Sequence, residues 1–360
     1  MQRSLRHAAS ALLAAFTMMV ATIVPVVAQT VENRLAAAFE RGELAGLHAV
    51  VVEVAGERVL EAYFPGADER WGSPLGERSH GPDTLHDLRS VTKSVVGLLY
   101  GIALEEGAVP APEASLLSQF PQYADLAGDK RRDAMTIDHA LTMQLGTRWN
   151  ESLPYSDPNN SETAMEAAED RYRFVLDRPM ASDPGTQWSY NGGAVALLAK
   201  LIENGTKMPI DRYAQLRLFE PLGIGDFEWV RGADGVPSAA SGLRLSARNL
   251  TGLGAMIAND GMYEGRQIVP KAWLARSFAP AVEIQPGFSY GYLWYLGEAP
   301  NANRIVIAQG NGGQRLTVQP KVGFVAATLA GNYNMADDWK LSLKVLLDYA
   351  IPAAQERRSR

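Results

Sequence analysis

Strand-like segments lie near both ends of this chain, and the long stretch between them is mostly helical in pattern. Near the start, two β-rich runs separated by Gly56-Glu57 predict a hairpin over 47–54 and 58–64. Three more strand-like runs precede a final amphipathic helix over 337–349, and they cover 304–308, 315–319 and 322–329. This order predicts the fold class α+β: an antiparallel β-sheet built from both chain ends, with helices on its faces and an inserted, mostly helical lobe. A cleft should lie between the lobe and the sheet.

The helical stretch runs from Ser90 to about Glu203 and is interrupted by a polar segment rich in proline and asparagine over 151–161. Such a segment could frame a pocket. Further helices are predicted over 31–41 and 246–259.

Residues 1–28 have the parts of a secretory signal peptide, since Arg3 and Arg6 precede an apolar segment over 11–27 that ends in small residues. We therefore predict a signal peptide over 1–28 and one domain over 29–360, in an exported protein that is periplasmic or secreted. An uncleaved membrane anchor is the alternative. The apolar segment is shorter than the roughly 20 residues of a spanning helix and contains threonine and proline, so we expect no stable membrane insertion after cleavage.

The charge of the chain argues against nucleic acid as a partner. The formal net charge is −6, and it becomes −8 when Arg3 and Arg6 leave with the signal peptide. The chain has no cysteine, which excludes disulfides and thiolate metal sites.

One Ser-x-x-Lys sequence, Ser90 to Lys93, opens an apolar helical run over 95–104. Residues i and i+3 lie on one helix face about 5–6 Å apart, so Lys93 could take the proton of the Ser90 hydroxyl. The free N–H groups at a helix start also favour an oxyanion. The alternative is a structural one, in which Ser90 is only an N-cap and Lys93 a solvated residue of the first turn.

Tyr190 lies just ahead of a second predicted helix over 194–203. A phenol there could relay the proton of Ser90 to a leaving group, with partial tyrosinate character favoured by the helix dipole and by the Lys93 ammonium. The alternative is a half-buried aromatic ring that packs against Trp188.

A third element, Gly310 to Gln314, lies between two predicted strands and contains Asn311, Gly312 and Gly313. Its glycines would let the backbone approach a substrate closely, and the N–H of Gln314 could donate to an oxyanion. An ordinary hairpin turn is the alternative.

In this order, the three elements resemble those of the serine β-lactamase and penicillin-binding-protein superfamily. The likeness is to its class C-like branch, which includes family VIII carboxylesterases, nylon-oligomer hydrolases and D-aminopeptidases. It covers almost the whole mature chain and includes further segments at 88–94, 136–143, 221–224 and 245–250. The resemblance implies an acyl-enzyme with Ser90 as nucleophile, Lys93 as its base and Tyr190 as acid/base. It also implies an oxyanion hole from the backbone N–H groups of Ser90 and Gln314, with Asn311, Gly312 and Gly313 at the substrate.

Two positions depart from the family pattern. Gly192 replaces the Asn or Ser of the Tyr-x-Asn motif, which removes a side chain that would bind a substrate amide. Asn311 replaces the Lys or His that opens the third motif, which removes a charge that would attract a substrate carboxylate. A lost charge-assisted hydrogen bond costs about 1.5–3 kcal/mol, so β-lactams and D-Ala-D-Ala peptides are less favoured substrates.

Other site types have weaker support. Residues 287–291 match Gly-x-Ser-x-Gly, but the α/β-hydrolase order needs a histidine after Ser289 and the last histidine of the chain is His139. The histidines show no paired ligand spacing, so we predict no metal and no cofactor, with core or surface packing as their role. The five histidines are His7, His48, His80, His86 and His139.

The leading hypothesis is an exported serine hydrolase that cleaves a small ester or amide through an acyl-enzyme on Ser90. Burial near an apolar helix, together with Tyr190, should lower the pKa of Lys93 so that it can accept a proton. A β-lactamase or D,D-peptidase acting on cell-wall-like substrates is the alternative within enzymes. A non-catalytic binding protein of the same fold is the alternative outside them.

Overall fold

An eight-stranded antiparallel sheet organises the computed structural model, which describes residues 30–299 and 303–358. The predicted signal peptide over 1–28 lies outside the described residues. The strands are β1 (Leu47–Val54), β2 (Glu57–Tyr63), β3 (Gly66–Arg70), β4 (Ser73–Arg78), β5 (His86–Asp87), β6 (Glu228–Trp229), β7 (Leu243–Leu245), β8 (Met262–Tyr263), β9 (Arg266–Gln267), β10 (Val282–Gln285), β11 (Phe288–Tyr290), β12 (Tyr295–Glu298), β13 (Arg304–Gly310), β14 (Gln314–Gln319) and β15 (Phe324–Ala330).

The large sheet has the order β10-β11-β12-β13-β14-β15-β1-β2, so β1 from the start of the chain pairs with β15 from its end. This pairing confirms the predicted sheet built from both chain ends. Three small sheets lie outside it, with orders β3-β4, β5-β7-β6 and β8-β9.

Helices fill the middle of the chain and flank the sheet. They are α1 (Val31–Glu40), α2 (Val91–Glu105), α3 (Lys130–Asp133), α4 (Ile137–Leu141), α5 (Ser161–Glu166), α6 (Arg171–Leu176), α7 (Gly192–Thr206), α8 (Ile210–Ala214), α9 (Ala247–Ala258), α10 (Lys271–Ser277), α11 (Asp338–Val345) and α12 (Ile351–Arg358). Within residues 30–299 and 303–358, none of these helices has the length and apolar character needed to cross a membrane.

The alternation of side chains along β1 explains why helices cover both faces of the sheet. Ala49 and Val51 belong to a core shared with α2, α7 and α9, whereas Val50 and Val52 belong to a second core shared with α1 and the C-terminal helices. Successive residues of a strand point to opposite faces, so each face of β1 is buried under its own helical layer. The fold class is the α+β arrangement that the sequence predicts.

The C-terminal strands differ in detail from the prediction. The strand predicted over 322–329 begins at Phe324, because Pro320–Val322 form a short 3-10 turn and proline has no N–H for a sheet ladder. Strands β10 to β12 extend the sheet beyond the predicted ones. The chain turns between β11 and β12 at Leu293, whose φ of 63° is left-handed.

Candidate active site

Ser90 lies immediately before α2, at the bottom of a cleft between the sheet and the helical lobe. Its side chain makes no capping hydrogen bond, although it occupies the N-cap position, so the hydroxyl is free for other contacts. The preceding Arg89 has a left-handed φ of 48° and is held by Asp87, whose Oδ2 lies 3.0 Å from Arg89 Nε. A strained residue fixed by an ion pair presents Ser90 at a sharp corner of the backbone.

Lys93 is buried one helical turn from Ser90 and uses all three of its N–H donors. Its Nζ donates to Ser90 Oγ at 2.9 Å, to Glu162 Oε2 at 3.0 Å and to the Ala240 carbonyl at 3.0 Å. The residue is 1% exposed. The structural alternative, a capping serine beside a solvated lysine, is therefore wrong.

The expected lowering of the Lys93 pKa is also wrong. Burial alone would lower the pKa of Lys93, but the carboxylates of Glu162 and Glu151 outweigh burial and raise it. The resting side chain is an ammonium with three acceptors around it. An ammonium has no lone pair, so in this state Lys93 holds Ser90 in place but cannot take its proton.

Glu162 is the site residue that the sequence analysis missed. It lies in the first turn of α5, where the Asn160 side chain accepts hydrogen bonds from the N–H groups of Glu162 and Thr163. Its side chain is 3% exposed. A Cβ built on Gly192 would lie 2.4 Å from Glu162 Oε2, so the carboxylate fills the space that a side chain at position 192 would need.

In the sequence, the feature that could have pointed to Glu162 is Gly192. A missing side chain in the second motif implies that another group fills its place, but the sequence alone does not say which group. Glu162 follows directly on the polar segment 151–161, and Tyr155 and Ser156 of that segment line the cleft, as the sequence predicted.

A second buried carboxyl, Glu151, lies beside the same group of residues. Its Oε1 accepts hydrogen bonds from Trp149 Nε1 and from the Gly192 N–H, both at 2.5 Å, and its Oε2 accepts one from the Tyr155 hydroxyl at 3.1 Å. Burial, reinforced by the negative charge of Glu162, raises the pKa of Glu151 to about 7. The site therefore contains a carboxyl that can change its charge near neutral pH.

Tyr190 faces Ser90 and Lys93 from the start of α7. Its ring centroid lies 4.9 Å from Lys93 Nζ, and its hydroxyl lies close enough to Ser90 for that residue to act on its pKa. The structure thus brings Ser90, Lys93 and Tyr190 together. The ring also packs against Trp188, with centroids 6.1 Å apart, so the packing contact expected of a structural role is present as well.

The expected tyrosinate character of Tyr190 is wrong for this resting state. Burial raises the pKa of Tyr190 well above its ordinary value, and the neighbouring Tyr295, Glu151 and Glu162 add to the effect. The neighbouring Ser90 acts on the pKa of Tyr190 in the opposite direction but is outweighed. Tyr190 is a neutral phenol that can donate a proton.

The third element forms the turn between β13 and β14. Gln314 is buried and pairs with Gly310, and a Cβ built on Gly310 would lie 3.0 Å from the Ser90 nitrogen. The backbone at the end of β13 therefore lies directly against the nucleophile. Gln314 pairs with Gly310 across the turn and so lies at the strand end next to Ser90. Its role as an oxyanion donor stays a prediction.

The turn after Gly310 contributes one side chain to the cleft and two glycines to the backbone. These residues are Asn311, Gly312 and Gly313. Asn311 lines it, and its Oδ1 accepts a hydrogen bond from the Asn334 N–H at 3.0 Å. Gly312 and Gly313 have left-handed φ values of 93° and 95°, which glycine adopts without strain. Gly312 N–H donates to Asp338 Oδ2 at 2.5 Å, so this part of the turn is tied to the C-terminal helix.

The cleft has a volume of about 430 Å³, within the range of small-molecule sites. Of its described lining residues, Arg89 is the one with a cationic side chain, and it is paired with Glu69 and Asp87. Lys93, at the base, is paired with Glu162. Neither cation is left for a substrate carboxylate.

The rival nucleophile Ser289 lies within β11 and pairs with Leu296 of β12. A nucleophile elbow needs a strand-to-helix turn at the serine, and a strand passes through this position instead.

The fold and this arrangement of residues define a serine hydrolase of the β-lactamase type. The chain belongs to the β-lactamase family, whose model matches residues 27–343. This membership confirms both the predicted resemblance and the predicted enzyme class.

Similar proteins include hydrolases and an acyltransferase. The chain is 24% identical over 272 residues to the 6-aminohexanoate-dimer hydrolase of Paenarthrobacter ureafaciens, an alignment that covers 69% of this chain and 67% of that protein. It is 26% identical over 156 residues to the monacolin J acid methylbutanoyltransferase of Aspergillus terreus, which covers 40% of this chain and 38% of that protein. Among solved structures, a candidate 6-aminohexanoate-dimer hydrolase from Bacillus anthracis superposes with a TM-score of 0.72 and 19% identity, over 89% of this chain and 82% of that one.

Proposed function

We propose that this protein is an exported serine hydrolase that cleaves a neutral ester or amide through an acyl-enzyme on Ser90. The observation that carries the proposal is the hydrogen bond of 2.9 Å between Lys93 Nζ and Ser90 Oγ at the base of the cleft. Nucleophile and base within hydrogen-bond reach are the signature of covalent catalysis.

The protonation state of Lys93 adds a step to this chemistry. Because the resting ammonium cannot accept a proton, Lys93 first passes one proton from Nζ to Glu162 Oε2, 3.0 Å away. The neutral amine then takes the proton of Ser90 as Oγ attacks the substrate carbonyl carbon. Charge is conserved, since an ammonium and a carboxylate become an amine and a carboxylic acid.

The second half of the reaction uses Tyr190 and the helix start. The oxyanion that forms is stabilised by the backbone N–H groups of Ser90 and Gln314, and the C–O or C–N bond to the leaving group then breaks. Tyr190 is protonated in the resting state and donates its proton to the leaving group, and it recovers one from Lys93. Water then attacks the acyl-enzyme by the same route in reverse and releases the acid.

The charges around the cleft support a neutral substrate. Arg89 and Lys93 are each paired with a carboxylate, and Asn311 stands where a cationic side chain would bind a substrate carboxylate. Uncharged short-chain esters and amides fit this cleft better than β-lactams or D-Ala-D-Ala peptides.

Hydrolysis of short p-nitrophenyl esters by Ser90→Ala tests the proposal. We expect Ser90→Ala to lose at least about 10³-fold in kcat, whereas the matched control Ser289→Ala retains wild-type activity. Equal activity of Ser90→Ala and wild type would refute the proposal. Nitrocefin turnover as fast as ester turnover would favour a β-lactamase, and tight ligand binding without any turnover would favour a binding protein.

A further inference from the structure

Three histidines and one aspartate meet in the interior of the protein. His48 belongs to β1, Asp68 to β3 and His86 to β5, while His80 follows β4. One potential ligand atom from each residue lies within 4.8 Å of the other three. His48 is 0% and His86 1% exposed, and the side chains of His80 and Asp68 are 2% and 0% exposed.

The hydrogen bonds of His80 and His86 to backbone carbonyls fix the tautomers of both rings. His80 Nδ1 lies 2.8 Å from the Phe64 carbonyl, and His86 Nδ1 lies 3.0 Å from the Asp87 carbonyl. A carbonyl only accepts, so each Nδ1 carries the proton and each Nε2 carries a lone pair, and His86 Nε2 accepts a hydrogen bond from His48 Nδ1, 2.9 Å away. An N–H bonded to a backbone carbonyl is the usual outer-shell contact that orients a metal-bound histidine.

The lone pairs of His80 and His86 lie near the Asp68 carboxylate, and His48 can add its Nδ1 once that atom gives up its proton to a metal, at spacings that approach those of a tetrahedral ion. His86 Nε2 lies 3.5 Å from Asp68 Oδ1, His80 Nε2 lies 3.7 Å from Asp68 Oδ2, and His48 Nδ1 lies 2.9 Å from His86 Nε2. Zinc bonds of about 2.0–2.1 Å in a tetrahedron place ligand atoms about 3.3–3.4 Å apart. Small shifts of the side chains would therefore complete the site.

The cluster also contains buried polar atoms that the described protein atoms do not satisfy. His80 Nε2 and Asp68 Oδ2 are fully buried and have no hydrogen-bond partner among the described residues. Native interiors pair nearly all such groups, so two unbonded atoms that lie 3.7 Å apart point to a shared partner such as a metal ion. Asp68 Oδ1 accepts hydrogen bonds from the Tyr333 hydroxyl at 3.1 Å and from the Glu69 N–H at 2.8 Å, and Arg78 Nη1 forms a long ion pair with Asp68 Oδ2 at 3.8 Å.

We propose that His48, Asp68, His80 and His86 bind one Zn²⁺ ion as a structural site. Imidazole nitrogens with one carboxylate oxygen in a tetrahedral arrangement select Zn²⁺ over Mg²⁺ and Ca²⁺, which prefer oxygen ligands. Four protein ligands close the coordination sphere, so the ion holds the fold and takes no part in the hydrolysis. The inference does not depend on the proposed function.

The ion would hold the rim of the cleft to the nucleophile segment. Asp68 is followed by Glu69 and Trp71, both of which line the cleft, and His86 lies four residues before Ser90. The predicted absence of a metal rested on the sequence spacing of the histidines. His48 and His86 are 38 residues apart, and only the fold brings them together.

Metal analysis of the full chain, purified without a histidine tag, tests the proposal. After dialysis against Zn²⁺ and then buffer, we expect about one zinc per chain and a fall in Tm when a chelator removes it. A Co²⁺ titration of the zinc-free protein should give the intense visible bands of tetrahedral cobalt. Less than about 0.1 equivalent of bound zinc, with no such bands, would overturn the proposal.

Two variants localise the ion. Asp68→Asn keeps the shape of the side chain and removes its charge, so it should weaken zinc binding by at least the tenfold to hundredfold that the loss of an outer-shell partner costs. His139→Gln is the matched control, because His139 accepts a hydrogen bond from Thr136 at the start of α4 and lies outside the cluster. Equal zinc affinity in wild type and Asp68→Asn would refute this site. If Asp68→Asn does not fold, the cobalt titration of wild type still decides.

Discussion

Replacing Glu162 by glutamine tests the electrostatics of the site most sharply. Glu162 Oε2 and Lys93 Nζ lie 3.0 Å apart, and both side chains are almost fully buried. At an effective dielectric constant of 20, opposite charges about 4 Å apart attract by about 4 kcal/mol. Glu162→Gln removes this attraction and leaves the burial, which lowers the pKa of Lys93.

The consequence for catalysis depends on pH. In the variant the ammonium has no carboxylate to receive its proton, so near pH 6 the base is lost and kcat should fall about 10²- to 10⁴-fold. As the pH rises, Lys93 loses its proton to solvent and the deficit should shrink. The assay is kcat for p-nitrophenyl ester hydrolysis between pH 6 and 9, roughly the range in which such esters can be handled.

A matched control separates this effect from a general loss of buried charge. Glu166 lies in the same helix and is also buried, but it bonds with Ser238 and Arg171 rather than with Lys93. Glu166→Gln should retain the pH profile of the wild type. A Glu162→Gln deficit that does not change with pH, or no deficit at all, would refute the proton transfer from Lys93 to Glu162.

Three further predictions concern neighbouring positions. Gly192→Ala would place a Cβ 2.4 Å from Glu162 Oε2, so it should displace the carboxylate and lower kcat toward that of Glu162→Gln. The control is Gly225→Ala, because no atom lies within 4 Å of a Cβ at that position. Equal kcat for the two alanine variants would contradict the argument. Asn311→Lys should lower KM for carboxylate-bearing β-lactams by about tenfold to a hundredfold, measured with nitrocefin, and an unchanged KM would show that position 311 does not meet the substrate. Burial raises the pKa of Glu166 to about 7, so its contribution to stability is present below its unfolded value near 4.5 and is lost as the pH rises through 7. The free energy of unfolding should therefore be measured in urea at pH 5 and at pH 8. It should fall less for Glu166→Gln than for wild type between these pH values, by up to about 3 kcal/mol. An equal fall in the two proteins would contradict the raised pKa.

The size of this predicted effect depends on Arg171, the ion-pair partner of Glu166, because two carboxylates share its guanidinium. Arg171 Nη2 lies 3.0 Å from Glu166 Oε2, a contact that favours the carboxylate form. The same guanidinium is also held by Asp234, which contacts both its Nε and its Nη2, so only part of the positive charge acts on Glu166. Burial then dominates the pKa of Glu166.

The sequence predicts the fold and the central residues well because their signals are local. The β-rich run that forms β1 and the apolar run after Lys93 each specify an element without reference to distant residues. Ser90 and Lys93 lie in one helical turn, so their spacing alone brings them together. Tyr190 was placed by its position before a helix, and α7 begins at Gly192.

The electrostatics could not be predicted in the same way. The pKa of Lys93 rises against expectation because Glu162 and Glu151 approach it from another segment of the chain and outweigh its burial. The pKa of Tyr190 rises mainly because the folded chain buries its ring, and Tyr295 and the two glutamates add to that effect. The histidine cluster has the same origin, since His48 and His86 belong to strands of different sheets and meet only in the folded chain. Sequence patterns indicate which residues are buried, but long-range packing decides which charges meet.

The most direct test of the central claim is the mass of the intact protein after rapid quenching with a short-chain p-nitrophenyl ester. We predict a transient increase equal to one acyl group, mapped by peptide analysis to Ser90 and absent from Ser90→Ala. Steady ester turnover with no acyl adduct, or an adduct that maps to another residue, would contradict the proposed mechanism.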